Sequence, residues 1–218
     1  MAMQGKRERR ARALAVASLL ADEYPGSTAE LCALKHDGPF QLLVATILSA
    51  QCTDARVNEV TPALFSAYPD PEALSRADPE ALEQIIRPTG FFRSKAQNLV
   101  AMAGALTERF GGQVPRELDD LVTLPGVGRK TGNVVRTVEF GLPGFPVDTH
   151  VGRLSRRLGL TDKQDPTQVE SELNELVPAA TGGVLSLRLI LHGRRVCTSR
   201  KPRCHECVLA DLCPSAAR

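Results

Sequence analysis

The stretch that decides the fold is Leu124-Pro125-Gly126-Val127-Gly128-Arg129-Lys130-Thr131, continued by Gly132-Asn133-Val134-Val135. Pro125-Gly126 is a turn dipeptide and Gly128 is a second residue without a Cβ, so the backbone is expected to turn sharply twice between the apolar runs on either side. Residues 116–122 and 128–140 then read as the two arms of a tight helical hairpin. A helix that begins here turns the N–H groups of its first residues, around Gly126 to Lys130, outward at its positive end. Such a nest suits a phosphate and grips it without reading a base. Val147-Asp148-Thr149-His150 follows shortly, with Asp148 in the position of an N-cap.

Upstream of the hairpin, residues 39–50 are apolar on almost every side, as a central buried helix is, with Pro39 at its first position and Gln51 breaking the run. A second helix is expected from Thr53, kinked or divided at Pro62. Asp70-Pro71-Glu72 and Asp78-Pro79-Glu80 each set an N-cap before a first-turn proline and an early acid, so two short helices start there. Residues 89–92, Thr-Gly-Phe-Phe, read as a loop with exposed aromatics, and residues 94–110 as a long helix closed by Gly111-Gly112. Residues 5–22 give a first helix with Leu14, Ala17 and Leu20 at helical spacing. Downstream, a helix capped by Asp148 runs to Leu158, one opened by Asp165-Pro166 runs to Leu176, and residues 183–195 lead into a group of cysteines. No alternating β-branched run appears, so the chain reads as all-α with about ten helices.

At 218 residues, 43% hydrophobic and 24% charged, this has the composition of an ordinary soluble globular protein of one large domain or two small ones. A net charge of +2 is too small to announce a nucleic-acid binder, but the distribution is uneven. Residues 188–203 hold six basic side chains and no acid, and residues 6–12 hold five against one Glu. A solvated helix face is the plainer reading of each. No apolar run is long enough to cross a bilayer and the basic N-terminus carries no cleavage pattern, so a cytoplasmic protein with no membrane partner is expected. In such a compartment six cysteines, four of them within residues 197–213, argue for a metal site rather than disulfides.

The four fall as Cys197-x6-Cys204-x2-Cys207-x5-Cys213. Thiolates at that density bind zinc or an iron–sulfur cluster, and spacing leaves both open. There is one Cys-x2-Cys pair where a zinc ribbon supplies two, and the wide spacings suit a bulkier cubane. Cys32 and Cys52 stand outside the pattern as small core residues. Residues 198–203 form a basic loop pinned at both ends, in which Arg200 and Lys201 are candidates for a DNA phosphate; offsetting the charge of a thiolate cluster is the other use for them. Lys130 has two readings as well. Beside a positive helix end an amine loses its proton more readily, and a neutral amine forms a Schiff base with a sugar carbon; many hairpins place a lysine here only to touch phosphate. Asp148 needs no role beyond its cap. Taken together the pair says more, because a carboxylate near an amine takes up its proton and steadies a cationic sugar.

Leu-Pro-Gly-Val-Gly-Arg-Lys-Thr ending in Lys130 and Thr131, Val-Asp-Thr-His with Asp148, Leu48-Ser49-Ala50-Gln51 with Thr53-Asp54, Arg200-Lys201-Pro202-Arg203-Cys204 and the cysteine spacing, in that company, resemble the endonuclease III family. These are bifunctional DNA glycosylases and AP lyases of the helix-hairpin-helix superfamily, and the resemblance covers essentially the whole chain. It implies a six-helix barrel domain over residues 32–142 and a [4Fe-4S] cluster domain over residues 1–31 and 143–218, with the active site in the cleft between them. It implies Lys130 and Asp148 as catalytic residues facing each other, and the four cysteines as cluster ligands. Gly126, Gly128, Arg129 and Thr131 would hold the DNA backbone, Gln51 would fill the hole left by a flipped nucleotide, and the loop with Phe91 would wedge against the opposite strand. The implied activity is removal of oxidised pyrimidines from damaged double-stranded DNA by a monomer associated with the nucleoid. Phe91 departs from the family's aliphatic wedge, and Gly132 from its usual Ala, which should only loosen the helix slightly. A mismatch-adenine glycosylase shares the fold but predicts a non-nucleophilic residue at position 130; a non-catalytic DNA-binding module needs neither Lys130 nor Asp148.

Overall fold

The computed structural model describes residues 2–217, with side chains from residue 5 onward. Among them every assigned element is helical, twelve α-helices and three short 3-10 turns, so the all-α expectation holds. They gather into two compact units, Cys32–Phe140 and Met1–Leu31 with Gly141–Arg218. Residues 1 and 218, at the ends of the expected cluster domain, lie outside the described residues.

The chain opens with α1 (Ala2–Glu23) and the short α2 (Thr28–Leu31), the latter not anticipated from sequence. The unit Cys32–Phe140 then holds α3 (Gly38–Leu48), α4 (Asp54–Ala67), α5 (Pro71–Ser75), α6 (Pro79–Ile86), α7 (Phe92–Phe110), α8 (Leu118–Leu121) and α9 (Arg129–Glu139). All seven residues from Leu42 to Leu48 are buried, which is why their run is apolar on every side. Around α3 pack α4, α7 and α9, while α5 and α6 lie on α7. Each fully buried Leu there, such as Leu42, Leu99 and Leu106, is worth about 1.5–3 kcal/mol. Asp70 and Asp78 cap α5 and α6 by accepting from the N–H of Ala73 and Ala81, at 2.8 and 2.9 Å. Helix α4 runs through Pro62 as one helix, so of the expected kink or division the division does not occur. The expected first arm at residues 116–122 shrinks to the four residues of α8; Glu117 gives it no side-chain cap and Thr123 closes it by donating to the Asp120 carbonyl at 2.7 Å. At the entrance of this unit the His36 ring spans the Leu34 carbonyl and Glu139 of α9, each at 2.7 Å.

The other unit adds α10 (Thr149–Arg157), α11 (Pro166–Leu176) and α12 (Ala179–Arg195). Helix α12 is its centre, touching α1, α2, α10 and α11. It starts at Ala179, ahead of the expected Gly183, because its glycines serve close packing: a Cβ on Gly182 would come within 2.8 Å of the Gly144 carbonyl, and one on Gly193 within 2.9 Å of His150 Nδ1. The basic face of α1 is partly spent on ion pairs, Lys6 with Glu175 at 2.6 Å and Arg9 with Asp162. No helix among the described residues is long and apolar enough to cross a membrane.

Candidate active site and metal centre

The hairpin turn depends on Gly126. Its φ of +75° is a left-handed conformation, and a Cβ would lie 2.9 Å from Asn98 Cβ, so both backbone and space demand glycine. Leu124 and Val127 are buried on either side, joined by Val127 N–H to the Leu124 carbonyl at 3.1 Å. Gly128 corrects the expectation of a second sharp turn. At φ −90° and ψ 171° it has a conformation open to any residue, and nothing lies within 4 Å of where its Cβ would be. What its bare Cα leaves is an unobstructed approach to the backbone at the positive end of α9. Arg129 and Lys130 are exposed in the first turn and Thr131 is half-buried. Gly132 does more than loosen α9, since a Cβ there would meet Leu118 Cδ1 at 2.7 Å; its absence lets α9 lie close on α8. One turn below Lys130, Asn133 is buried with neither amide atom hydrogen-bonded, a feature that sequence gave no sign of.

Two loops of the same unit share an unusual backbone. Gln51 at φ +53° and Phe91 at φ +49° are the non-glycine residues with positive φ among those described, a conformation costing about 1–2 kcal/mol each. Gln51 is exposed and Phe91 is 67% exposed, as its loop reading expected, whereas Phe92 starts α7 and lies between Arg87 and Arg93.

Asp148 caps α10. Its Oδ1 accepts from the N–H of His150 at 2.8 Å and of Val151 at 2.9 Å, so the cap engages one carboxylate oxygen. From the same helix Arg153, unseen in the sequence reading, donates to the carbonyls of Gly193 at 3.0 Å and Cys197 at 2.9 Å.

Cys197, Cys204, Cys207 and Cys213 are free, half-buried thiols lining one cavity of about 160 Å³, with Arg157 and Pro202 also in its wall. Among the described residues no three His, Cys, Asp or Glu side chains converge closely enough to hold a single ion. A cavity walled by four thiols nevertheless offers the donors that an iron–sulfur cluster takes. Burial, and then the neighbouring thiols, push Cys207 and Cys213 up, so binding metal must displace their protons. Two of the sulfurs have nitrogen neighbours: Arg157 Nη1 lies 3.2 Å from Cys197 Sγ, and His192 Nε2 lies 3.2 Å from Cys207 Sγ with its Nδ1 3.0 Å from the Tyr24 hydroxyl. The residues present therefore fit an iron–sulfur group.

The basic run 188–203 divides by task. Arg188 donates to the Tyr24 carbonyl at 3.0 Å, Arg195 stands over the Tyr24 ring, and Arg203 pairs with Glu206 at 2.8 Å. Arg200 and Lys201 remain exposed on the loop. Arg157 holds that loop too, donating to the carbonyls of Thr198 and Ser199 at 2.8 Å each, while Thr198 Oγ1 donates to the Lys201 carbonyl at 2.7 Å. Cysteines are thus not its only anchors.

Residues 44–179 match the HhH-GPD superfamily of base excision DNA repair proteins, and residues 197–213 match the iron–sulfur binding domain of endonuclease III. Endonuclease III of Synechocystis sp. is 53% identical over 206 residues, covering 94% of this chain and 93% of its own. Among solved structures, a non-covalent endonuclease III–DNA complex superposes with a TM-score of 0.89 at 40% identity, over 95% of this chain and 96% of that one. Endonuclease III trapped as a covalent intermediate on DNA gives the same TM-score, identity and coverage. Shared along nearly their full lengths, that identity makes this chain a member of the endonuclease III family, within the HhH-GPD superfamily of base excision DNA repair proteins.

Proposed function

We propose that this chain removes oxidised pyrimidines from damaged double-stranded DNA and cuts the strand at the abasic site it makes, with Lys130 as nucleophile and Asp148 as the carboxylate that serves it. It is a base excision repair enzyme, a DNA glycosylase with AP lyase activity, and it carries a [4Fe-4S] cluster. The neutral amine of Lys130 attacks C1′ of the damaged nucleotide as the glycosidic bond breaks, and the base leaves with the bonding electron pair. Asp148 takes up the amine proton and offsets positive charge on the sugar. Opening of the sugar leaves an imine between Nζ and C1′. Loss of a C2′ proton then expels the 3′ phosphate by β-elimination.

Gly126, Gly128, Arg129 and Thr131 hold a phosphate at the hairpin, and Arg200 and Lys201 hold another. Gln51 fills the space of the extruded nucleotide and Phe91 wedges into the opposite strand. Cys197, Cys204, Cys207 and Cys213 ligate the cluster, which when bound cross-links the segment that bears the basic loop. The enzyme works as a monomer in the cytoplasm, at the nucleoid. The observation that carries the catalytic reading is an exposed lysine in the first turn of α9, beside a glycine whose surroundings stand open. A relative trapped covalently on DNA supports it.

Borohydride on abasic DNA tests it, since only an imine is reduced to a stable crosslink. Lys130→Gln should bind DNA yet lose base release and trapping together. Trapping at the wild-type yield in that variant would remove Lys130 from the mechanism.

A further inference from the structure

Lys95, in the first turn of α7, is the one buried lysine among the described residues, only 5% exposed. Its Nζ donates to the carbonyls of Leu48 and Thr89, both at 2.8 Å. Leu48 ends α3, and three residues later the chain passes through Gln51 at φ +53°; Thr89 ends the 3-10 turn Arg87–Thr89, and two residues later comes Phe91 at φ +49°. Among the described residues the other hydrogen bonds of these segments stay local. Cys52 N–H reaches the Ser49 carbonyl at 3.1 Å, Gly90 N–H the Arg87 carbonyl at 3.3 Å, and Thr89 Oγ1 the Ile86 carbonyl at 2.8 Å. The Lys95 ammonium crosses from one loop to the other. Burial holds its pKa below the usual lysine range, a cost that an apolar side chain of similar length would avoid. Left-handed conformations at non-glycine residues persist where their surroundings over-determine them, and here both such residues sit just beyond the carbonyls one cation holds.

We propose that Lys95 is a positioning residue that couples the two loops, so that Gln51 and Phe91 enter DNA as one rigid pair rather than as two independent probes. This rests on the roles given above to Gln51 and Phe91. Lys95 acts through backbone carbonyls and needs no contact with DNA.

The test measures affinity for a duplex carrying a tetrahydrofuran abasic analogue and for the same duplex undamaged. Gln51→Ala, Phe91→Ala and the pair are compared in the wild-type and Lys95→Met backgrounds. In the wild-type background each single replacement should weaken analogue binding roughly tenfold, and the pair little more than either. In the Lys95→Met background the two losses should become independent and multiply, with undamaged duplex bound as before. The same interaction in both backgrounds overturns the coupling while leaving the roles of Gln51 and Phe91 intact. No effect of either single replacement overturns those roles and the coupling with them. Should Lys95→Met not fold, hydrogen exchange on the wild-type protein decides: residues 48–52 and 88–92 should gain protection in proportion as the analogue is added, and protection of one segment alone overturns the proposal.

Discussion

Gly126 and Gly128 stand two residues apart in one hairpin and answer to different constraints. Gly126→Ala forces a Cβ against Asn98 at a left-handed φ, so it should lower stability by about 1–2 kcal/mol or more and shift the melting midpoint down. Gly128→Ala meets neither obstacle. Its midpoint should hold, while binding to damaged and undamaged duplex falls together, because the methyl group stands where a phosphate would approach. Equal melting losses in both variants would refute the distinction. Asp148 is separated from its cap in the same spirit. Asn caps a helix about as well as Asp, so Asp148→Asn should keep the melting midpoint yet cut turnover by orders of magnitude; a variant that melts early and turns over normally makes Asp148 structural only. The places of Lys130 in the first turn of α9 and of Asp148 as the cap of α10 could be read from the sequence, because helix starts and caps are set by neighbours along the chain. Lys95, Arg153 and His192 could not, because the groups they bond lie on elements distant in sequence.

Helices were legible to the extent that their ends carry local chemistry. Asp-Pro pairs open α5, α6 and α11 where expected, and the continuous apolar run gave α3. Where tertiary packing overrides propensity the reading failed: α12 extends through Gly182-Gly183 because the helix packs there against the backbone of Gly144, and α8 is shorter than the arm expected over residues 116–122. The basic loop at residues 198–203 shows the same limit. Its charge was visible, but the Arg157 fork that shapes it was not. Lys201→Ala should therefore weaken binding to damaged and undamaged duplex alike and flatten the salt dependence by about one phosphate contact, with stability unchanged. Arg157→Ala removes bonds to two loop carbonyls and a donor beside Cys197, so it should flatten the salt dependence and also shorten the life of the cluster against chelators. An Arg157→Ala protein with wild-type salt dependence would show that the cysteines fix the loop unaided.

At the scale of the molecule, the chain divides its apolar core. The unit Cys32–Phe140 is one continuous segment with its own buried residues on α3, α6 and α7, and none of the four clustered cysteines belongs to it. The other unit is assembled from segments far apart in sequence, α1 and α2 with everything from Gly141 on, and all four cysteines lie there. Their surroundings reach into that unit's own helices, through Arg157 at the end of α10 and His192 in α12. Metal binding is folding free energy where ligands come from a segment with little regular structure, and residues 197–213 hold only two 3-10 turns. Oxidative removal of the cluster should then speed hydrogen exchange in residues 197–213 first, next at the adjoining ends of α10 and α12, and leave the buried amides of α3 and α7 slow. The intact protein should be brown with about four irons per chain, as the cluster type requires. A colourless, fully active protein holding one zinc would return the cysteines to an ordinary structural metal site, and simultaneous loss of protection in α3 and α12 would show that the cluster supports both cores rather than one.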